Sequence, residues 1–242
     1  MPSFWENLKV NGQDMRMYAS VPRGSGPFPA VVVAQHGGGV DTFIQSICDR
    51  LAGEGYAAAA PELDHRITQE MLADGSTRAQ HRSDPDIIAD INTAVDWLRN
   101  HRSIDRERLG VTGFCMGGRV SWLAAATNPH IKAAVPHYGG NIMVPLGKAT
   151  KSPFELTTGI KCPILFHFGA IDKNPSPADM AKLDAELTRL GKRHQFYTYA
   201  GADHGFMDHT GQRYNQGAVD TSWPRTLDFF ATHLKQVAVQ PR

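Results

Sequence analysis

Cysteine is scarce in this chain. Three residues in 242, Cys48, Cys115 and Cys162, are too few and too scattered to form a disulfide framework. Their number is odd and no Cys-x-x-Cys pair occurs, which argues against a thiolate zinc site, so no metal is expected. Charge of one sign is equally lacking: 25 Lys and Arg stand against 24 Asp and Glu, a formal net charge of +1. Without a polybasic stripe, neither nucleic acid nor an anionic membrane surface is expected as a partner. No apolar run approaches the roughly 20 residues that a membrane-crossing helix needs. The opening MPSFWENLKV has no basic stretch followed by an apolar one. These absences predict a cytoplasmic protein with reduced thiols, acting on small, weakly charged molecules.

What is present is an ordinary globular balance, 41% hydrophobic and 20% charged, at a length that suits one domain over residues 1–242. No repeat or low-complexity tract interrupts it. Alternation in MRMYAS and a turn at PRGSGPFP predict antiparallel edge strands near the start. Short apolar runs follow at 30–35, 56–61, 109–114, 131–138, 162–169 and 194–200, with helical patterns at 42–54, 86–100, 117–126, 177–190 and 217–236. Strands that are apolar throughout are buried on both faces, so this alternation predicts an α/β fold with a mainly parallel central sheet and helices on both faces. Ligands in such folds sit beyond the carboxyl ends of the strands.

The stretch GFCMGG, residues 113–118, puts Cys115 at such an end, where a strand gives way to a helix. In a Gly-x-nucleophile-x-Gly turn the nucleophile is held in a strained backbone with its side chain exposed, and small neighbours let the elements approach. Gly113 and Gly117 fill those places. A helix N-terminus behind Cys115 lowers its thiol pKa, and the Met116 amide points where an oxyanion would form. A tight crossing around an inert thiol would use the same glycines, so partners must be sought. In the order expected of such hydrolases an acid and then a histidine follow. Asp172 lies past the strand CPILFHFG, and His204 lies past HQFYTYA in GADHGF. Asp203 adjoins His204 and should point away from its ring, Asp208 is a rival acid, and Asp179 and Asp184 fall on a helix. The glycines of QHGGGV suit a second oxyanion amide, and Gly37 is the candidate.

With these residues in place, the chain resembles the dienelactone hydrolase family, a cysteine-nucleophile branch of the α/β-hydrolases, over nearly its whole length. The matching stretches are VVVAQHGGG, GYAAAAPEL, GFCMGGR, AAVPHYGG, PILFHFGAID, AGADHGF and YNQGAVDTSWPRTLDFFATHL. The resemblance implies an α/β-hydrolase fold and a hydrolase cleaving an ester or lactone bond of a small molecule through a thioester intermediate, without a cofactor. It places the family's Cys, Asp and His on Cys115, Asp172 and His204, and its oxyanion amides on Gly37 and Met116. Relatives with relaxed pockets also act on other activated esters, organophosphates among them.

Two departures bear on the substrate. Dienelactone-opening members carry a glutamate where this chain has His36, so the glutamate's exchange with the thiol cannot operate as such; His36 bonds the thiol or substrate, or faces water. The family's arginine four residues after the catalytic histidine is replaced by Asp208, which favours a neutral substrate over an anionic one. Arg66, Arg78 and Arg82 are candidates to compensate, although arginines near a helix start are commonly solvated. His36, Arg66, Tyr138 and Phe206 are the expected pocket residues. The pair His204 and His209 has poor ligand spacing for a metal. HRSIDRER, 101–108, reads as a solvated helix end and loop, and Trp223, Leu227, Phe230 and Leu234 read as the core face of a terminal helix. Cys48 and Cys162 read as packing residues. A non-catalytic or redox-sensing thiol protein on the same scaffold is the alternative, and a monomer or homodimer suits either.

Overall fold

The structure is a computed structural model that describes residues 2–235. Eight strands form one sheet: β1 (Ser3–Val10), β2 (Gln13–Ser20), β3 (Phe28–Ala34), β4 (Ala57–Pro61), β5 (Ile104–Phe114), β6 (Ile131–His137), β7 (Ile164–Gly169) and β8 (His194–Tyr199). Their spatial order is β1-β2-β4-β3-β5-β6-β7-β8. β1 and β2 pair antiparallel, as MRMYAS predicts, and β2 joins β4 antiparallel. From β4 to β8 every pairing is parallel.

The helices are α1 (Thr42–Gly53), the short α2 (Arg78–His81), α3 (Asp84–Asn100), α4 (Met116–Thr127), α5 (Pro177–Arg189) and α6 (Gln216–Phe230). Strand alternation sends successive side chains to opposite faces. Ala30, Val32 and Ala34 of β3 join a core with α3, α4 and α5, whereas Val31 and Val33 join a second core with α1 and α6. Burial on both faces explains why β3 and β4 carry unbroken apolar runs. At the edge, β8 is half exposed. Among the described residues no helix is long and apolar enough to cross a membrane.

Two expectations need correction. The charged run 101–108 is not loop throughout: β5 begins at Ile104, which pairs with Phe28, and Arg108 turns its guanidinium to Asp105 at 2.7 Å. Local charge hid a strand whose pairing is set by a distant segment. The terminal helical pattern continues past α6 only as a π-helical turn, Ala231–Lys235, and residue 236 lies outside the described residues.

Because β3 and β5 to β8 run parallel, their carboxyl ends share one edge. That edge presents His36 and Gly37, Cys115, Tyr138, Asp172 and His204 on five successive connections.

Candidate active site

Cys115 stands between β5 and α4 with φ 56° and ψ −118°, a left-handed backbone that a residue with a Cβ adopts only under strain. The glycines around it answer to close approach. A Cβ on Gly113 would fall 2.2 Å from the Gly117 carbonyl oxygen, and one on Gly117 would fall 2.0 Å from the Ala34 oxygen. A Cβ on Gly118 would meet the His137 oxygen at 2.4 Å. The first turn of α4 is therefore pressed against β3, β5 and β6, and the Cys115 side chain is aimed out of the sheet.

Burial pushes the Cys115 thiol up, but its hydrogen bonding with His204 and the approach of the Met116 and Gly37 amides outweigh this and hold it below the ordinary thiol value. The other two cysteines are raised by burial, Cys162 to about 11. Of the three cysteines, Cys115 alone has its thiol held below the ordinary value.

Asp172 follows β7 and is 3% exposed. Its Oδ2 accepts a hydrogen bond from His204 Nδ1 at 3.0 Å, and its Oδ1 accepts from the Asn174 amide at 2.8 Å. Asp203 does turn away from the ring, because its Oδ1 accepts from the backbone amide of His204 at 2.6 Å. Burial works against a charged His204, yet hydrogen bonds with Asp172 and Cys115 raise it to about 10. The two shifts share one geometry: His204 approaches the Cys115 sulfur on one side, and its Nδ1 is held by the buried Asp172 carboxylate on the other.

Cys115, His204, His36, Tyr138, Asp208 and Arg213 line a cavity of about 470 Å³. A larger cavity of about 550 Å³, between the β7–β8 edge and α6, shares no residue with it. Of the expected pocket residues, His36 lines the cavity, but its Nε2 lies 2.7 Å from Asp41 Oδ2, the carboxylate that also caps α1. That nitrogen therefore faces neither thiol nor open water. Tyr138 lines the cavity as expected. Phe206 does not; it is fully buried behind the wall, its ring 5.1 Å from Tyr138 and 5.3 Å from Tyr199. Arg66 does not either, because its Nη1 bonds the buried Asp90 at 2.7 Å. Arg82 is 9% exposed and forks onto Asp64. Both guanidinium groups are neutralised by internal carboxylates rather than solvated. Arg78 borders a separate polar cavity with Glu62 and Asp64.

Arg213 escapes the sequence reading. It is exposed, follows the Asp208–Gly211 turn and precedes the Asn215 cap of α6. The turn residues of TGQRYNQ signal a loop, but nothing local says that the loop folds back over Cys115. Asp208 also lines the cavity and accepts from the Thr210 amide and hydroxyl at 2.9 and 2.7 Å. Among the described residues, no group of three or more His, Cys, Asp or Glu is placed to hold a metal ion.

A family model described as the dienelactone hydrolase family matches residues 15–234. A Methylorubrum extorquens protein carrying the name carboxymethylenebutenolidase is 32% identical over 233 residues, covering 92% of this chain and 79% of that one. A Bradyrhizobium protein named as a 2-oxo-3-(5-oxofuran-2-ylidene)propanoate lactonase is 31% identical, covering 95% and 94%. The crystal structure of a Klebsiella pneumoniae protein named as a dienelactone hydrolase superimposes with a TM-score of 0.82 at 31% identity, covering 96% of this chain and 99% of that one.

Proposed function

The chain belongs to the dienelactone hydrolase family, hydrolases of ester and lactone bonds on the α/β-hydrolase fold, and from that premise we propose that it works through Cys115 as a covalent nucleophile. The thiolate attacks the carbonyl carbon of a small ester or lactone, and the Gly37 and Met116 amides hold the oxyanion that forms. Collapse breaks the carbon–oxygen bond of the ester. The imidazolium of His204 gives its proton to the departing alkoxide, leaving a thioester on Cys115. Neutral His204 then takes a proton from water, whose oxygen attacks the thioester; collapse expels the acid product and restores the thiolate and imidazolium. Asp172 keeps Nδ1 protonated and orients the ring throughout.

The observation that supports this reading best is convergence on one sulfur: His204 and the amides of Gly37 and Met116 all act on Cys115, and all lower its pKa. These proposed steps need no cofactor. Asp208 and Arg213 place one charge of each sign in the cavity, so the substrate class we propose is a neutral ester or lactone. A redox-sensing role is less well supported, because Cys48 and Cys162 are buried and neither lines the cavity as a resolving thiol. The test is hydrolysis of an activated aryl ester with intact-mass analysis. Wild-type protein should show a transient acyl adduct on Cys115 and prefer neutral over carboxylated lactones, while Cys115→Ala should lose both adduct and turnover. Full turnover in Cys115→Ala would end the nucleophile reading, and strong preference for carboxylated lactones would end the substrate reading.

A further inference from the structure

The proposed hydrolytic steps leave one buried polar group of the cavity unused. Tyr138 lines the cavity, is 1% exposed, and its hydroxyl completes no hydrogen bond. The Met207 amide approaches the phenol oxygen as a donor, which leaves the O–H proton itself without an acceptor. Buried hydroxyls are almost always satisfied, so an orphan at the lining of a reactive cavity calls for a partner that appears during reaction.

The backbone makes Tyr138 and Cys115 neighbours. Phe114 of β5 pairs with His137 of β6, so the next residues, Cys115 and Tyr138, leave neighbouring strand ends side by side, about 5 Å apart along the hydrogen-bonding direction. Tyr138 has φ 38°, a left-handed conformation that bulky residues avoid. It is held there by its amide, which donates to the His167 oxygen at 2.7 Å, and by Gly139, where a Cβ would lie 2.5 Å from the Gly118 carbonyl carbon. The ring is fixed edge-on to His204 at 5.3 Å and to Phe206 at 5.1 Å. Cys115 itself packs against the core that contains Tyr138.

We propose that the Tyr138 hydroxyl donates a hydrogen bond to the Cys115 sulfur whenever that atom carries negative charge, before attack and again as the thioester is cleaved. The proposal rests on Cys115 as the nucleophile. No bond to the phenol proton is broken, since Tyr138 acts as a donor and remains protonated. Burial, and then the nearby negative charges of Cys115, Asp208 and Asp172, push the phenol well above its usual value, so the donor persists at working pH. The remaining titratable and charged groups around the sulfur are His204 after β8, His36 with Asp41 after β3, and Arg213 before α6. Tyr138→Phe alters none of them.

The test is the pH titration of the Cys115 thiolate, read by its ultraviolet absorbance and by its alkylation rate, in Tyr138→Phe. The apparent thiol pKa should rise by about one unit, and kcat for an aryl ester should fall about tenfold at neutral pH with KM little changed. A purely packing ring predicts an unchanged titration, and that result overturns the proposal. Site-specific difluorotyrosine at position 138 keeps ring and hydroxyl but makes a stronger donor, so it should lower the thiol pKa; no shift there also overturns it. Neither titration needs turnover. Failure of the nucleophile reading, seen as activity in Cys115→Ala, is therefore distinguishable from failure of the Tyr138 assignment.

Discussion

Gly113→Ala tests whether the turn around Cys115 is held by contact rather than by local preference. The added Cβ would lie 2.2 Å from the Gly117 oxygen, 2.4 Å from the Gly117 carbonyl carbon and 2.8 Å from the Ala34 Cβ. Backbone supplies the two nearest atoms, so no side-chain rotation relieves the clash. Restoring an ordinary carbon–oxygen contact of roughly 3.3 Å requires the Gly117 peptide to retreat by about 1 Å. Overpacking of this kind costs about 1–3 kcal/mol, which for a chain of this size lowers Tm by about 2–12 °C. The retreat also shifts the nearby Met116 amide, the proposed oxyanion donor, and a misplacement of about 1 Å costs on the order of 100-fold in rate. Calorimetry and aryl-ester kinetics should therefore show a modest loss of stability with a kcat/KM about 100-fold lower. A variant with wild-type Tm and kcat/KM within a factor of about two would refute the claim that close packing against α4 positions the Met116 donor.

Two other predictions concern charge. His204 lies at about 10 in the fold against an unfolded value of about 6.5, so its stabilising contribution is complete below the lower value and lost as pH rises through the higher. The thiol runs the other way, its contribution present above the unfolded value and lost as pH falls through the lowered folded one. The Tm gap between wild type and Asp172→Asn, in which the His204 contribution is weakened, should shrink as pH is raised from 6.5 to about 10; a gap constant over that range would contradict the proposed imidazolium. Arg119 and Asp84 form a pair with side chains only 2% and 3% exposed, bridging α4 and the start of α3. Arg119→Met strands the carboxylate and should cost about 3–5 kcal/mol, whereas adding Asp84→Leu should restore most of it in a denaturant titration.

Much of this architecture is legible in one dimension because it depends on short-range regularities. Unbroken apolar runs mark strands covered on both faces, and helical periodicity at 177–190 marks α5. Candidate residues could be found because they cluster at strand ends, and glycines around Cys115 signal close approach before any contact is known. What escaped notice involves partners remote in sequence. Arg66 and Arg82 look like free cations until Asp90 and Asp64, 24 and 18 residues away, are seen to hold them. Phe206 neighbours His204 closely in sequence, yet its side chain packs into the core instead of the cavity.

The amino-acid order by itself determined the alternation of strand and helix, the turn that needs glycine at 113 and 117, and the succession of thiol, acid and imidazole, since each follows from backbone sterics and hydrophobic periodicity over a few residues. Only the tertiary structure decided which charges are neutralised, that His36 belongs to Asp41, that Arg213 faces the cavity, and that the Tyr138 hydroxyl is left unpaired. These depend on the direction of side chains arriving from separate strand connections. Such directions are set by packing across the sheet, which no local pattern encodes.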